Sequence, residues 1–394
     1  MTNLCRPLHN KVRHRSTVAA LLLSVAALCS TAAHAQNLGY ITNECSNDVT
    51  VINTTTNTVS ATVPVFAVPF ELTLNPAGTT AYITAFSNNS VLALNTSSNT
   101  ITATIPVNSI PFQVAVSPLG TPAYVTDFSE DALLVLDTTR NSITATLPIG
   151  NFPFALAFLP NTTEAFITRL ASNDVVVLDT TLNAVVATIP VGITPFAIAI
   201  TPDGSRAYVA NQSSDTVSVI DTILNTVVAT IPVGAGPAAV AITPDGKYVY
   251  VPNEFSNFVS VIATATNTVV ASVPVGEGPA GIGITADGVS AYVTNQDSDT
   301  ISVITIASNT VATTIAGGQC PTGVALPPPA GLVPVSKGDC LNGGWAKYGP
   351  PAGPFKNQGQ CIAYFNRTGG GAHPVSSKPI PVGPSPRSVT IHNL

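Results

Sequence analysis

The chain has 394 residues, of which 45% are hydrophobic and 9% are charged, and its net charge is −6. Charged residues make up roughly 25% of an average soluble protein. The scarcity of charged and long straight-chain helix formers excludes a coiled coil and disfavours a helix-rich fold, and the hydrophobic share excludes a disordered chain. The remaining polar residues are mostly Thr, Asn and Ser. Because Thr, Val and Ile favour strands while Asn, Pro and Gly favour turns, the composition predicts an all-β protein.

Residues 1–35 have the three parts of a secretory signal peptide. Basic residues lie between Arg6 and Arg15, an apolar run extends from Val18 to Cys29, and the segment ends Ala33-His34-Ala35. The apolar run is shorter than the about 20 residues that span a bilayer, which leaves a short N-terminal anchor as the alternative. We therefore expect an exported protein that is periplasmic, secreted or cell-surface and has no membrane span.

A 42-residue period follows the predicted signal peptide. The copies begin at residues 39, 81, 123, 165, 207, 249 and 291, without a shift of register. In the copy that begins at 207, strands are predicted over 207–210, 216–220, 226–233 and 238–243. Turn residues every 8–12 positions between β-branched runs are typical of all-β proteins. Four strands in about 40 residues indicate one blade of a β-propeller.

Two turn positions of the repeat carry Asn or Asp in every copy. The first set is Asn47, Asn89, Asp131, Asn173, Asp215, Asn257 and Asp299. The second set is Asn57, Asn99, Asn141, Asn183, Asn225, Asn267 and Asn309. Short hairpin turns need residues that tolerate positive φ, and Asn and Asp do so best after Gly. A ring of amide ligands is the alternative interpretation.

The chain enters at the second strand of a blade and leaves with an isolated first strand over 322–326. We expect that strand to complete blade one, which closes a seven-bladed β-propeller of four-stranded antiparallel blades over 36–330. Cys45 and Cys320 fall in two loops of this blade that share one face, so we predict a disulfide between them. Two free thiols are the alternative, which export disfavours.

The repeats resemble the YVTN or YncE-like β-propeller family. The resemblance rests on segments such as 291–295 (Ala-Tyr-Val-Thr-Asn) and 300–304 (Thr-Ile-Ser-Val-Ile), and it extends over all seven copies. Similar repeats occur in archaeal surface-layer proteins and in many exported bacterial proteins. The family is also broadly similar to the propeller domains of nitrous oxide reductase and haem d1 nitrite reductase. The resemblance implies a propeller and carries over no residue of a histidine-based or cofactor-based site.

Residues after about 330 differ from the repeats. Residues 331–366 resemble a short Cys-paired motif of exported bacterial proteins, Gly-Gly-Trp followed by Phe-Lys-Asn-Gln-Gly-x-Cys, and the resemblance implies a disulfide between Cys340 and Cys361. A segment this small needs such a cross-link. Residues 367–394 are rich in Gly, Pro and Ser and are expected to be disordered.

Charge and residue inventory exclude several functions for the propeller segment. It contains four basic and 19 acidic residues, a net charge of −15, so we expect no nucleic-acid binding. It contains no histidine, and its two cysteines are the predicted pair. The commonest general base, the commonest metal ligand and thiolate chemistry are therefore missing from it. We expect no cofactor, no metal site and no catalytic residues.

The innermost strands should line the central channel. Their first position reads Phe70, Phe112, Phe154, Phe196, Ala238, Ala280 and Thr322. The next position reads Glu71, Gln113, Ala155, Ala197, Ala239, Gly281 and Gly323. The four Phe either pack between blades or form an apolar platform beside Glu71 and Gln113, which would mark a binding site.

One turn of the third copy is acidic, with Asp127, Glu130 and Asp131. These carboxylates could bind a cation such as Ca²⁺, but a solvated acidic turn is favoured because all-oxygen sites need more converging ligands. Phe86 and Phe128 fall in loops on the face that carries Cys45. With the residues of the channel and the acidic turn, they form the candidate contact region for a partner or ligand.

The sequence therefore favours an exported, non-enzymatic propeller that binds a partner, protein or cell-surface, or belongs to a surface assembly. One alternative is a lactonase-like or lyase-like enzyme with a cation held by carboxylates, with Glu71 as the best candidate residue. This alternative is an analogy from the fold alone. A further alternative is a cofactor-binding or redox-partner propeller.

Overall fold

Twenty-eight strands form seven four-stranded antiparallel sheets. The computed structural model describes residues 37–107, 109–160 and 162–328. The predicted signal peptide, Cys340, Cys361, the segment 331–366 and the tail 367–394 lie outside the described residues. Within the described residues, β-strands dominate and the named helical element is one 3₁₀ turn, Gln212–Ser214.

The strands of blades one to four are given from the channel outward. Blade one contains β28 (Pro321–Ala325), β1 (Leu38–Asn43), β2 (Asp48–Asn53) and β3 (Thr58–Pro64). Blade two contains β4 (Pro69–Leu74), β5 (Thr80–Ala85), β6 (Ser90–Asn95) and β7 (Thr100–Pro106). Blade three contains β8 (Pro111–Val116), β9 (Ala123–Asp127), β10 (Ala132–Asp137) and β11 (Ser142–Pro148). Blade four contains β12 (Pro153–Phe158), β13 (Glu164–Arg169), β14 (Asp174–Asp179) and β15 (Ala184–Pro190).

Blades five to seven have the same order. Blade five contains β16 (Pro195–Ile200), β17 (Arg206–Asn211), β18 (Thr216–Asp221) and β19 (Thr226–Pro232). Blade six contains β20 (Ala241–Ile242), β21 (Tyr248–Asn253), β22 (Phe258–Ala263) and β23 (Thr268–Pro274). Blade seven contains β24 (Pro279–Ile284), β25 (Ser290–Asn295), β26 (Thr300–Thr305) and β27 (Thr310–Ala316).

The predicted seven-bladed propeller is confirmed, including its closure. Each innermost strand contacts the innermost strand of the next blade all the way round, and β28 contacts both β4 and β24. β28 pairs with β1, so the two ends of the described chain complete one sheet. The predicted Cys45–Cys320 disulfide is also confirmed, with a Cα–Cα distance of 5.3 Å.

The hydrophobic core lies between the blades. Seven clusters of buried apolar side chains each join the middle strands of one blade to those of a neighbour. The second and third strands of a blade are buried on both faces, whereas the outermost strand is mostly exposed, with one buried residue near its end.

The recurrent turn residues have positive φ, as predicted. All fourteen Asn and Asp of the two sets have φ between 48° and 56°. Their side chains also join blades, which the sequence did not indicate. In the first set, for example, Asp215 Oδ1 accepts a hydrogen bond from Gly236 N at 2.9 Å. In the second set, Asn267 Oδ1 accepts from the Tyr208 hydroxyl of the preceding blade at 3.1 Å.

The inner strand of blade six is shorter than predicted. The sequence predicts a strand over 238–243, but β20 covers Ala241–Ile242, with an isolated bridge between Pro237 and Asn253. In five blades the hydroxyl of a Thr in the second strand accepts a hydrogen bond from a backbone N–H of the inner strand. This bond takes the place of one backbone–backbone bond between the two strands. In blade seven, for example, Thr294 Oγ1 accepts from Gly281 N at 2.8 Å. Blade six has Pro252 at the corresponding position, which supplies neither a hydroxyl nor an N–H group.

Candidate functional site

The seven inner strands surround a cavity of about 400 Å³. Its lining includes Gln212, Glu254 and Gln296, so it reaches the face formed by the turns after the second strand of each blade and by the loops between blades. Because Cys45 and Cys320 lie in these segments, we call it the Cys45 face. The inner strands approach one another closely: a Cβ atom on Gly281 would lie 2.0 Å from the Thr322 carbonyl oxygen. Gly281 is therefore needed for the inner strands of blades seven and one to approach this closely.

Aromatic rings cover the other side of the channel. The rings of Phe70 and Phe112 lie 5.3 Å apart, those of Phe112 and Phe154 4.8 Å apart, and those of Phe154 and Phe196 4.1 Å apart. All four residues line the cavity. They contact one another across blades and form one apolar wall of the cavity. We call this set of four residues the aromatic wall.

The aromatic wall continues onto the Cys45 face. Phe86 stacks on Phe70 at 4.9 Å, and Phe128 contacts Phe112 at 5.1 Å. Phe152, which lies in the loop before β12, stacks on Phe128 at 4.5 Å. Phe86 and Phe128, singled out from the sequence, are thus in direct contact with the channel residues, and the sequence analysis missed Phe152.

Glu71 and Gln113 lie one position deeper than the aromatic wall and line the cavity. Glu71 Oε2 accepts a hydrogen bond from Leu72 N at 3.3 Å, and none of the four ion pairs of the described residues includes Glu71. Burial raises the pKa of Glu71 to about 7, an effect that the Leu72 N–H opposes. Gln113 Oε1 accepts from Leu156 N of blade four, which anchors this side chain across two blades.

A polar row completes the channel mouth opposite the aromatic wall. It is formed by the first turn residue after the second strand of blades five, six, seven and one, which are Gln212, Glu254, Gln296 and Glu44. Gln212 Nε2 donates to Glu254 Oε2 at 3.0 Å, and Gln296 Nε2 donates to Glu44 Oε2 at 3.3 Å. We call these four residues the polar row. Gln212, Glu254 and Gln296 line the cavity.

Burial raises the pKa of both carboxyls of the polar row. For Glu254 the charge of Asp297 raises it further, while the hydrogen bond from Gln212 lowers it. The polar row was not among the predicted site residues, because each of its members belongs to a turn of its own. Comparing the same position in all seven copies would have found it, since blades two, three and four carry Phe86, Phe128 and Leu170 there.

Two carboxylates of the acidic turn in blade three accept hydrogen bonds from backbone N–H groups of nearby loops. Asp127 is fully buried rather than solvated, and its Oδ1 accepts from Glu130 N at 3.2 Å. Asp131 Oδ1 accepts from Phe152 N at 2.7 Å, and Glu130 is exposed. Asp127 and Asp131 thus each accept a hydrogen bond from a loop N–H group, and Asp127 Oδ2 is buried without a hydrogen-bond partner. No group of three or more His, Cys, Asp or Glu within the described ranges is arranged to hold a metal ion.

The YncE-like β-propeller family model matches residues 4–327. The chain therefore belongs to this family, which confirms the family resemblance read from the repeats. No curated protein matches the chain. Apart from its gaps, the segment 37–328 contains no helix long and apolar enough to span a bilayer.

Solved structures with low identity share the fold. A functionally unknown protein from Desulfotomaculum acetoxidans is 19% identical, covers 74% of this chain and 99% of its own, and has a TM-score of 0.67. Kuenenia stuttgartiensis hydrazine synthase is 22% identical over 66% of this chain and 90% of its own, with a TM-score of 0.61. A protein from Bacteroides uniformis described as a candidate 6-phosphogluconolactonase is 18% identical. The match covers 73% of this chain and 99% of that protein, with a TM-score of 0.63. At these identities the similarity shows the fold alone.

Proposed function

We propose that the protein is an exported, non-enzymatic propeller that binds a ligand or partner at the channel mouth on the Cys45 face. The observation that carries the proposal is the cavity of about 400 Å³, which has the aromatic wall on one side and part of the polar row on the other. Binding pockets are typically apolar concavities with a few placed polar groups.

Exposed aromatic residues on the same face support this assignment. Phe66 is 88% exposed, Phe255 69% and Phe152 40%. Large exposed apolar side chains around a concave opening are a feature of interaction surfaces. The Cys45–Cys320 disulfide supports export because such bonds persist in oxidising compartments. The acidic propeller disfavours nucleic acid as the partner.

The enzyme alternative has one observation in its favour, the buried Glu71 carboxyl in the channel. Titratable groups with strongly shifted pKa values cluster at functional sites, but structural groups can have them as well. If a lactonase or lyase activity is found, we expect Glu71→Gln to abolish it. Retention of the activity in that variant would remove its best candidate residue.

The test of the proposal is native mass spectrometry of the protein purified from its own cell envelope or medium. We expect a stoichiometric bound molecule or partner in the wild type and its loss in Ala280→Phe, which fills the open side of the channel. Phe86→Ala with Phe128→Ala should weaken binding at the mouth. Asp131 is left unchanged, because its side chain holds the loop that carries Phe152. A bound species that is retained in all these variants would contradict the proposed face.

A further inference from the structure

The channel mouth contains negative charge without a described positive partner. Its lining includes the Glu71 and Glu254 carboxyls but no Lys, Arg or His. All four ion pairs of the described residues lie elsewhere, on Asp137, Asp174, Asp221 and Asp245. Glu254 accepts a hydrogen bond from an uncharged amide, Gln212. Carboxylates that are removed from water cost free energy unless a cation or several hydrogen-bond donors satisfy them.

We propose that the channel mouth binds a small organic ammonium ion with an apolar body. The proposal rests on the proposed binding function and names its ligand class. The apolar body packs on the aromatic wall, while the ammonium group lies between Glu254 and Glu71. The faces of aromatic rings also attract cations, which adds to the selectivity for a positive ligand.

The arrangement of the polar row favours a cation over a neutral ligand. The amide groups of Gln212 and Gln296 each use one of their two N–H donors on a carboxylate, which holds Glu254 and Glu44 in place, while the amide oxygens stay available as acceptors. The mouth therefore offers mainly acceptors. A neutral sugar could use some of these acceptors but would leave the carboxylate charges uncompensated. An ammonium ion satisfies both needs, since it donates up to three hydrogen bonds and carries the opposite charge.

The same geometry favours an organic cation over a metal ion. The lining supplies two carboxyls, one from blade two and one from blade six, and within the described ranges no group of three or more His, Cys, Asp or Glu is arranged to hold a metal ion. One side of the cavity is aromatic, which a hydrated metal ion cannot use. We therefore expect the ligand to be an amine that contacts both the aromatic wall and the carboxylates of the channel.

The test uses isothermal titration calorimetry with 2-phenylethylammonium and the neutral 2-phenylethanol as a matched pair of probes. We expect the ammonium ion to bind at least about tenfold more tightly, the range of a hydrogen bond to a charged group. Glu254→Gln and Glu71→Gln should each weaken ammonium binding by about tenfold and leave binding of the alcohol within about twofold. Glu277→Gln is the control, because Glu277 is an exposed acid on the same face outside the cavity lining, and it should change neither affinity.

The outcomes separate the ligand class from the proposed function. If both probes bind equally and both are lost in Ala280→Phe, the binding site is correct and the ammonium proposal is wrong. Ammonium binding that is unchanged in Glu254→Gln and Glu71→Gln also overturns the ammonium proposal. If neither probe binds and the protein from its own source carries no bound species, both proposals fail.

Discussion

Phe166 is the one residue at its repeat position that lacks a hydroxyl. Six blades have Tyr there, and its hydroxyl donates to an Asn of the next blade, as Tyr250 does to Asn309 at 2.6 Å. Blade four has the buried Phe166 instead, and the Oδ1 atom of the corresponding Asn225 is buried without a hydrogen-bond partner. A buried polar atom in this state costs about 1–3 kcal/mol.

We expect Phe166→Tyr to stabilise the protein by about 1 kcal/mol, because the new hydroxyl reaches the free Asn225 oxygen. Tyr208→Phe, the converse change in blade five, should destabilise it by a similar amount. Urea unfolding measures both changes. In an Asn225→Gly background the gain from Phe166→Tyr should disappear. A gain that persists there would show that the new hydroxyl acts through another partner.

Glu71 predicts a specific dependence of stability on pH. Burial raises its pKa from 4.5 to about 7, so the folded state disfavours the charged form. Its destabilising effect is therefore absent below about pH 4, grows as the pH rises and is complete above pH 7. At 1.36 kcal/mol for each pKa unit, the effect is at most about 3 kcal/mol.

We expect Glu71→Gln to be more stable than the wild type at pH 8 and equally stable at pH 4. Thermal unfolding across this pH range measures the difference. Glu277→Gln, which removes the same charge from an exposed position, serves as the control and should show no such trend. Equal stability of Glu71→Gln and the wild type at pH 8 would mean that the carboxyl is compensated in the folded protein.

Blade six shows how one element depends on one side chain of its neighbour. Pro252 lacks the backbone N–H that the other six blades have at this position, and β20 is reduced to Ala241–Ile242. Blade five has Ala210 there and keeps the inner strand Pro195–Ile200, so the hydroxyl alone is not required. The repeat predicts four strands in each blade because turn-forming residues separate the β-branched runs in every copy. It does not predict this shortening, because the missing bonds lie between strands and depend on the pairing register.

We expect Pro252→Thr to extend β20 toward Ala238. The Thr hydroxyl would accept from Ala239 N, as Thr294 accepts from Gly281 N in blade seven. Hydrogen exchange at the Ala239 amide should slow down. The net change in stability should be small, because loss of a proline also increases the entropy of the unfolded chain. Thr294→Ala should speed exchange at Gly281; unchanged exchange in both variants would exclude this role of the hydroxyl.

At the scale of the whole molecule, closure relies on a noncovalent sheet and one covalent bond. The pairing of β28 with β1 joins the ends, and the Cys45–Cys320 disulfide closes a loop of 275 residues. In the chain-entropy model a loop of this length stabilises the folded state by about 5 kcal/mol.

We expect Cys45→Ser with Cys320→Ser to lose up to about 5 kcal/mol of unfolding free energy. Denaturant unfolding measures the loss. A reducing agent should shift the wild type to the same midpoint and leave the double variant unchanged. If reduction and the double substitution have no effect, the sheet pairing alone maintains closure.

The sequence was sufficient to predict the seven-bladed ring, but it did not predict all the residues at the mouth of the channel. The 42-residue period, the orphan strand and the cysteine positions together predict the closed propeller and its disulfide. Glu71, Gln113 and the four Phe could be assigned to the channel because they fall near the start of the inner strands. The polar row could not be recognised copy by copy, because its Gln–Glu bonds join residues of different blades.

The Tyr–Asn bonds join residues 59 positions apart, which is more than one 42-residue copy. One 42-residue copy is therefore too short to contain a Tyr together with the Asn that accepts its hydrogen bond. A single copy cut from the chain would contain both halves of this bond without being able to join them. Gain or loss of blades by tandem duplication, in contrast, restores every pair, provided that whole copies are added or removed and the ring can close again.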